Sequence, residues 1–362
     1  MSTIINFKIA FLFLLAVFTL NLEANPTFAR QYNLSCSACH SQLPALNDMG
    51  LSFLRNGFRT SKYDTTALQS LLDSNSSKRH YPIGAMIGLA DNSSSDEVGQ
   101  PVKLYLSGTI TDSLSLMALT KEAFSSDKSD QRLFRSNNSQ AYFQYNFLEA
   151  KHTFRVGLLS RLTQLGNIQR SMANSGLNAA GGHGKNYFSP LQHANVKNIK
   201  GAEYSYLDNN MLILFSYGET IDLQDRSRHA FLSGIRYATA SNYKIGLIYN
   251  YLDWKDDDYY SLILPIEKEY GMFTWNSSLV YANDSGEDYF GLENAFTFPL
   301  RDMEHIRAII NVDRDENDNN NVGYSLGYSK IYKMFTFSVV ASRIDTDTHN
   351  DNKLMGFINL IF

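Results

Sequence analysis

The stretch Val322-Gly-Tyr-Ser-Leu-Gly-Tyr-Ser329 alternates between two kinds of side chain. Valine, tyrosine and leucine occupy its even positions, whereas glycine and serine occupy its odd positions. Successive side chains of a β-strand point to opposite faces, so this stretch predicts a strand with one apolar face and one face of small or polar residues. Residues 243–251 repeat the pattern, with Ile245 and Leu247 among those on the apolar face.

Segments of this kind recur from residue 81 to the end of the chain, and we count sixteen of them. They lie near 81–90, 101–110, 113–121, 138–147, 151–160, 199–206, 211–218, 229–238, 243–252, 258–264, 271–281, 288–298, 305–313, 321–330, 334–343 and 353–362. Connections after even strands are brief, and those after odd strands are mostly longer and rich in Asp, Asn and Ser. Short turns at one end and longer loops at the other are typical of outer-membrane β-barrels. The expected fold is therefore mainly β, a sixteen-stranded antiparallel outer-membrane barrel, with a soluble β-sandwich or propeller as the alternative.

Composition agrees with this fold class and excludes several others. The chain has 362 residues, a net charge of −4 and 13% aromatic residues, including 22 tyrosines and 23 phenylalanines. So many aromatic residues and so little net charge exclude disorder for most of the chain, and the lack of basic excess argues against nucleic-acid binding. Two cysteines are too few for a disulfide scaffold. The terminal Phe362, on a strand, resembles the recognition signal of bacterial outer-membrane proteins.

The amino terminus is predicted to be an export signal. Lys8 precedes an apolar run over residues 9–20 that only Thr19 interrupts. The run is shorter than the roughly 20 apolar residues that a membrane helix needs. We therefore predict a signal peptide over residues 1–24, with cleavage after Ala24 or as late as Ala29. A retained N-terminal anchor is the alternative.

Both cysteines belong to the motif Cys36-Ser-Ala-Cys39-His40. The spacing C-x-x-C-H is typical of c-type haem attachment, in which two thiols one helical turn apart bond the haem vinyl groups and the histidine binds the iron. We predict one covalent haem c, with Cys36 and Cys39 as thioether residues and His40 as the proximal ligand. A disulfide or thioredoxin-like pair and a zinc site are the alternatives.

The sixth ligand of the haem iron stays open in the sequence. Met49 is the only methionine between the motif and the first predicted strand, and His80 lies just before that strand. Either could be the distal ligand. Met49 could instead be a packing residue of a short helix around residues 46–54. His183, His193 and an open iron site are the remaining alternatives.

The longest connection runs from Arg161 to Asn198 and follows the fifth predicted strand. We call it the third connection. It resembles in place and length the third loop of the general porins, which folds inward and narrows the channel. A surface loop is the alternative.

A larger resemblance covers roughly residues 24–60. It rests on Asn25-Pro-Thr-Phe-Ala-Arg30-Gln-Tyr, the haem motif, Pro44-Ala-Leu-Asn, Gly50 and Phe53-Leu-Arg-Asn-Gly57-Phe. These elements resemble the opening of the fused monohaem cytochrome–porins, whose best-known members are outer-membrane iron oxidases. The resemblance implies a haem-binding segment followed by a porin, and electron transfer as the activity. Met49 stands where many members have another apolar residue.

These observations predict a chain of three parts. Residues 1–24 are the signal, 25–79 a helical haem c segment that docks in or under the barrel and partly plugs it, and 80–362 the barrel. We expect an outer-membrane protein of a Gram-negative bacterium that contacts lipid. It would pass electrons from an extracellular donor such as Fe(II) to a periplasmic c-type cytochrome. If the protein is an enzyme, it would then be an Fe(II):cytochrome c oxidoreductase. A haem-tethered diffusion porin and a conduit for another redox partner are the alternatives, and several copies of the chain could assemble.

Acidic residues in the predicted outer loops suggest a way to collect Fe(II). They occur in the stretches 256–258, 313–318 and 345–347. Hard carboxylate oxygens could concentrate Fe(II), or could bind Ca²⁺. The simplest interpretation is a solvated loop surface.

Overall fold

The structure is a computed structural model of the whole chain. It describes residues 27–32, 34–40, 46–61, 66–72, 83–92, 102–121, 140–161, 163–165, 194, 196, 198–220, 228–254, 257–284, 286–301, 304–314, 320–332, 335–346 and 350–361. The predicted signal peptide lies outside these residues, as does most of the third connection.

Sixteen antiparallel strands form one closed barrel, as the alternation predicts. The strands are β1 (Ile83–Asn92), β2 (Val102–Thr109), β3 (Leu114–Lys121), β4 (Gln140–Phe147), β5 (His152–Leu159), β6 (Ile199–Asp208), β7 (Met211–Thr220), β8 (Arg228–Ala238), β9 (Tyr243–Trp254), β10 (Asp257–Tyr270), β11 (Phe273–Asp284), β12 (Glu287–Arg301), β13 (Glu304–Arg314), β14 (Asn320–Tyr332), β15 (Phe335–Asp345) and β16 (Asn350–Ile361). Each strand pairs with its neighbours in sequence, and β1 pairs with β16 to close the ring. Closure leaves no exposed strand edge among these strands.

The two faces of the barrel differ as the sequence predicts. On β4, Tyr142 and Gln144 are buried and point inward, whereas Phe143 and Tyr145 are about half exposed and point outward. Ile245 and Leu247 on β9 likewise lie on the outer face. An outward apolar face and a largely polar interior are the arrangement of a barrel that lies in an outer membrane.

The short turns lie together at one end of the barrel. Near this end Met86 of β1 pairs with Ile361 of β16, so the barrel both begins and ends there. The turns between β4 and β5 and between β6 and β7 belong to the same end. We call it the short-turn end. Anything attached to the beginning of β1 therefore leaves the barrel at this end.

Strand β10 is longer than predicted. The predicted strand ended at residue 264, just before Pro265, whereas β10 continues to Tyr270. Proline lacks the N–H that a strand ladder needs, and the β9–β10 pairing is interrupted at this position. The ring of Pro265 lies over Gly246 of β9, where a Cβ atom would be 2.9 Å from the proline Cγ. The missing side chain of Gly246 thus provides room for Pro265 inside the strand.

The helices precede the barrel. They are α1 (Thr27–Tyr32), α2 (Cys36–Cys39), α3 (Asp48–Arg55) and α4 (Ala67–Leu72), and a 3-10 turn, Thr163–Leu165, follows β5. Helix α3 matches the helix predicted near residues 46–54. None of the helices in the described part of the chain is long and apolar enough to span a membrane.

Candidate functional site

The haem-motif helix α2 is held against the start of α3 by one side chain. The amide of Asn47 donates hydrogen bonds to the carbonyl oxygens of Ser37 (3.0 Å) and Ala38 (3.1 Å). Its backbone N–H donates to the carbonyl of Cys39 at 3.0 Å. The side-chain oxygen of Asn47 also accepts from the N–H of Gly50 at 2.8 Å and so caps α3. Asn47 therefore fixes the position of α2 relative to α3.

Gly50 allows the two helices to approach this closely. A Cβ atom at residue 50 would overlap the carbonyl oxygen of Cys39. Any larger residue would force α2 away from α3. Residue 50 must therefore be glycine if Asn47 is to keep its contacts with α2.

Aromatic rings join α1 to the end of α3. Phe28 packs edge-on against Phe53, with ring centroids 4.9 Å apart, and stacks on Phe58 at 5.4 Å. Tyr32 packs edge-on against Phe53 and donates a hydrogen bond to the carbonyl of Phe58 at 3.1 Å. Met117 of β3 packs against this cluster. The cluster is the small apolar core of the N-terminal segment, and it touches the inner face of the barrel.

Helix α3 lies inside the barrel, at the short-turn end. We use the name plug for α2, α3 and the chain as far as Arg59. The amide nitrogen of Gln144, which points inward from β4, donates to the carbonyls of Leu54 (2.9 Å) and Arg55 (3.2 Å). These carbonyls belong to the last turn of α3, which has no partners for them within the helix. The inner face of the barrel thus caps the end of the plug helix.

Arg55 bonds the plug to the barrel through both terminal nitrogens of its guanidinium group. Its Nη1 donates to Gln164 of the third connection (2.6 Å) and to Ser205 of β6 (3.2 Å). Its Nη2 donates to the carbonyls of Ala150 (3.4 Å) and Lys151 (3.3 Å) in the turn between β4 and β5. Burial and the neighbouring guanidinium groups of arginines 236 and 155 lower the pKa of Arg55 to about 10. One side chain thus joins the plug to three separate parts of the barrel.

The turn that receives Arg55 has an unusual backbone. Leu148, Glu149 and Ala150 have φ values of 50°, 56° and 61°, in the left-handed region that favours glycine. A non-glycine residue in this region costs roughly 1 kcal/mol. Contacts to the turn offset this cost: Arg55 bonds its carbonyls, and Lys151 forms a 2.9 Å ion pair with Asp208. This carboxylate raises the pKa of Lys151.

Further contacts attach the plug around the mouth of the barrel. Lys244 of β9 forms a 2.8 Å ion pair with Asp48 at the start of α3 and a 3.1 Å ion pair with the buried Glu267. The guanidinium of Arg59 donates to the carbonyl of Asp112, in the turn between β2 and β3, at 2.5 Å. The plug therefore meets the barrel from the turn between β2 and β3 to β9.

The described ends of the third connection lie against the inner face of the barrel, whereas the part that the porin resemblance predicts to narrow the channel lies outside the described residues. Gln164 donates to the carboxylate of Glu203 on β6 at 2.9 Å, and Leu165 packs over Gly234 of β8. At the other end of the connection, the carbonyl of Ala194 accepts from Ser261 of β10 at 2.8 Å. Both described ends of the connection therefore line the lumen, and the rest of it lies outside the described residues.

The structure places three of the predicted haem residues together. Cys36 and Cys39 are the first and last residues of α2, and His40 follows directly. His40 is half-buried, and its backbone forms an isolated antiparallel bridge with Leu46, two residues before α3. In the part of the chain that the structure describes, no three His, Cys, Asp or Glu residues are close enough to hold a metal ion by themselves.

The candidates for the distal ligand fall in different places. Met49 is 42% exposed on the surface of α3, so it is not a packing residue of the core. His80, His183 and His193 lie outside the described residues. The distal ligand stays a prediction.

Two of the predicted acidic loop stretches begin inside strands instead. Asp313 is the tenth residue of β13, and its carboxylate accepts from Tyr289 (2.7 Å) and from Asn321 (2.8 Å) within the barrel. Asp345 ends β15 and pairs with Arg343 at 2.7 Å. Asp313 falls within the predicted strand 305–313, and Asp345 lies two residues beyond the predicted strand 334–343. Both carboxylates are already bonded to wall residues.

Sequence reasoning missed the residues that attach the plug. Arg55 follows Leu51 and Leu54 at the spacing of one helix face, where Phe58 also falls, so a charged residue interrupts an apolar stripe. That interruption signals a buried arginine with a partner. The partner Gln164 is 109 residues away in the chain, and no local pattern identifies it.

Comparisons with known proteins identify the fold. A loop-deletion mutant of OmpT, an outer-membrane protein of Vibrio cholerae, matches with a TM-score of 0.55 and 13% identity over 77% of this chain and 98% of that chain. An anion-selective porin from Comamonas acidovorans matches with a TM-score of 0.55 and 11% identity over the same shares. A further solved porin matches with a TM-score of 0.50 and 14% identity, again over 77% of this chain and 98% of that chain. No protein-family model matches the sequence, and no curated protein matches it significantly. The chain therefore has the fold of an outer-membrane porin.

Proposed function

We propose that this protein is a porin-type channel of a Gram-negative outer membrane whose lumen is narrowed by a covalently attached haem c segment. A barrel of sixteen strands is wide enough for an aqueous channel. The observation that carries the proposal is that the helix after the C-x-x-C-H motif lies inside this barrel, bonded by Arg55 to the inner face. The aromatic outer face supplies the contact with membrane lipid.

The residues present fit a c-type haem. The two cysteines begin and end a single helical turn, which matches the spacing of the two vinyl groups, and the histidine is adjacent. Cys36 and Cys39 would form the thioethers, and His40 would bind the iron on the proximal side. Asn47 and Gly50 fix the helical turn that presents these residues. Bound haem c supplies a one-electron couple whose potential depends on the axial ligands and on burial.

A conductance measurement tests the channel. The full chain, purified from outer membranes, is inserted into a planar lipid bilayer in KCl. We expect stepwise conductance in the wild type and larger steps in Arg55→Met, which loosens the plug. Arg314→Met, at the exposed end of β13, is the matched control and should conduct like the wild type. Absence of conductance in all three proteins would contradict the channel.

Electron transfer is a second candidate function, favoured by the placement of C-x-x-C-H in the mouth of a membrane barrel. An extracellular donor such as Fe(II) and a periplasmic c-type cytochrome would be the two partners. An optical spectrum before and after anaerobic Fe(II) tests it. Reduction of a haem c band on a turnover timescale supports an Fe(II):cytochrome c oxidoreductase. Reduction by dithionite alone removes Fe(II) as the donor and keeps a conduit for another partner.

The same spectrum tests the cofactor itself. Expressed in a host competent for haem c maturation, the wild type should show a haem c band, and Cys36→Ser with Cys39→Ser should lose it. No band in the wild type would remove the haem and leave a porin-type barrel. Assembly of several copies is a related prediction; one solved form of Vibrio cholerae OmpT is described as a trimer.

A further inference from the structure

Gln164 is a buried side chain that contacts both the plug and the barrel wall. It lies in the 3-10 turn Thr163–Leu165, which we call the connection turn. Its side-chain oxygen accepts from the Nη1 of Arg55 on α3 at 2.6 Å and from the hydroxyl of Ser205 on β6 at 2.8 Å. Its amide nitrogen donates to the carboxylate of Glu203, also on β6, at 2.9 Å. One amide group therefore bridges the plug and the wall.

The connection turn has a further attachment to the wall, next to Gln164. Leu165 is buried, and its side chain lies over Gly234 of β8, where a Cβ atom would be 3.1 Å from the Cδ2 of Leu165. The guanidinium of Arg236, also on β8, donates to the carbonyl of Leu165 at 3.4 Å. Displacement of the turn from β8 would therefore separate Gln164 from Arg55.

Gln164 forms the shortest of the four hydrogen bonds that attach Arg55 in the described part of the chain. The Ser205 hydroxyl lies 3.2 Å from this guanidinium, and two carbonyls of the turn between β4 and β5 lie 3.3 and 3.4 Å from it. A bond from a charged donor contributes more than a neutral bond, and a buried group that loses its partner bears the full cost of its desolvation. Displacement of the connection turn would therefore loosen α3.

The connection turn depends on the plug in the same way. When α3 leaves the mouth of the barrel, the side-chain oxygen of Gln164 loses its charged donor, and the buried turn loses a bond. Coupling between two sites is reciprocal, so an element that stabilises its neighbour is itself stabilised to the same extent. The two residues of this contact are 109 positions apart, so the dependence joins elements that are remote in the sequence.

We propose that the contact between Gln164 and Arg55 makes α3 and the connection turn one cooperative unit, in which neither element opens alone. Any event in the lumen that displaces the connection turn is then transmitted to the helix that follows the C-x-x-C-H motif. Withdrawal of the plug is transmitted to the connection turn in the opposite direction. This inference goes beyond the proposed function, because it requires neither a bound haem nor an open channel.

Hydrogen exchange of the purified full chain in detergent micelles, read by mass spectrometry, tests the cooperative unit. We expect peptides from α3 and from the connection turn to exchange with one opening equilibrium and one response to low urea, because both elements open together. The wall strands should stay protected. Exchange of the connection turn while α3 remains protected would overturn the proposal. Loss of the haem, or a lack of conductance, contradicts the proposed function and leaves this measurement unaffected.

Gln164→Met tests the contact itself. The variant keeps the length of the side chain and removes the amide, and the lost bond from a charged donor should speed α3 exchange by about tenfold or more. Ser261→Ala is the matched control, because it removes a bond to the carbonyl of Ala194 at the other described end of the third connection. It should leave α3 exchange at the wild-type rate. Heat-modifiable electrophoretic mobility confirms that each variant barrel is folded.

Two results from these variants would refute the role of Gln164. One is an unchanged rate of α3 exchange in Gln164→Met. The other is an equal acceleration in Gln164→Met and Ser261→Ala, which would show a general loosening of the third connection.

A double variant shows whether the effect passes through Arg55. Arg55→Met alone should speed exchange of the connection turn as well as of α3. In that background, Gln164→Met should not accelerate α3 further, because two residues that act through one contact are not additive. If Gln164→Met accelerates α3 equally with and without Arg55, the coupling does not use this contact and the proposal fails.

Discussion

The barrel wall and the plug are held by different kinds of interaction. Strands β10 and β11 alone share twelve residue pairs, and every strand has such a ladder on both sides. The described part of the plug has no ladder to the wall; it is attached by a few polar side chains, chiefly Arg55, Gln144 and Lys244. Stability in the wall is therefore spread over many equivalent bonds, whereas in the plug it is concentrated in single residues. Substitutions should affect the two regions very differently.

The largest effect should come from Arg55→Met. Four acceptors lose a charged donor, and a bond to a charged group contributes roughly 1.5–3 kcal/mol. Relief of repulsion with the other arginines offsets part of this loss, so we expect the opening free energy of the plug to fall by about 4 kcal/mol. Hydrogen exchange of the α3 amides in the folded protein measures it. Unchanged protection of α3 would show that the plug does not depend on Arg55.

Leu247→Arg should destabilise the barrel wall and leave the plug unaffected. Leu247 is 47% exposed on the outer face near the middle of β9. An arginine facing lipid at this depth costs about 3 kcal/mol. We expect the urea midpoint for refolding into bilayers to fall while the exchange of the α3 amides is unchanged. Faster exchange in α3 would mean that wall and plug are coupled more tightly than their contacts indicate.

Gly50→Ala tests the contact between α2 and α3. The added methyl overlaps the Cys39 carbonyl, and overpacking of this kind costs about 2 kcal/mol. We expect reduced haem c content per protein in a maturation-competent host and unchanged barrel mobility on gels. Gly271→Ala is the matched control, because a Cβ there meets no atom within 4 Å. Equal haem content in both variants would contradict the tight approach.

Asn47→Ala removes one cap and two bonds to α2. The loss of an N-cap costs about 1 kcal/mol, and the two lost neutral hydrogen bonds add about 0.5 kcal/mol each, so we expect about 2 kcal/mol in total. Asn47→Asp keeps the cap and loses the amide donor, and it should recover part of the protection of α3. If the α3 amides exchange at the same rate in Asn47→Asp and Asn47→Ala, the cap contributes nothing.

The smallest effect should come from Asp48→Asn. Its side chain is 68% exposed, and its ion pair with Lys244 is open to solvent screening. Exposed pairs contribute about 0.5 kcal/mol, and salt weakens them. We expect a slight increase in α3 exchange at low salt that disappears in about 1 M KCl, where charges are screened within roughly 3 Å. An effect that persists in high salt would indicate a specific structural role for Asp48.

The same contrast explains what the sequence could predict. Alternation acts between neighbouring residues, so it identified sixteen strands and the two faces of β9 and β14. The prediction of strand ends failed at Pro265, where one residue interrupts the alternation. Pro265 fits into β10 because the facing residue of β9 is Gly246, and this fit is visible only once β9 and β10 are paired. It also ended β15 at residue 343, because Asp345 looked like a loop residue, whereas the strand continues to Asp345, which pairs with Arg343.

The candidate site likewise has one part that the sequence predicts and another part that only the tertiary structure reveals. The order Cys36, Cys39, His40 is a local chemical pattern, so the sequence alone predicts its role. Contacts of Arg55 with Gln164 and Ser205 join residues more than 100 positions apart, and they depend on how the barrel closes. Hydrogen bonds between residues so far apart in the sequence depend on tertiary structure, and no sequence periodicity predicts them.

The closure of the barrel by β1 and β16 has a topological consequence. The chain that precedes β1 leaves the barrel at the short-turn end, and the plug occupies that same mouth. Among the described residues, no segment passes through the ring from one opening to the other to reach its position. Within the part of the chain that the structure describes, the plug and the ring are therefore not entangled: the plug can be withdrawn by breaking its side-chain contacts with the wall, including the packing of Met117, and no described strand pair has to separate.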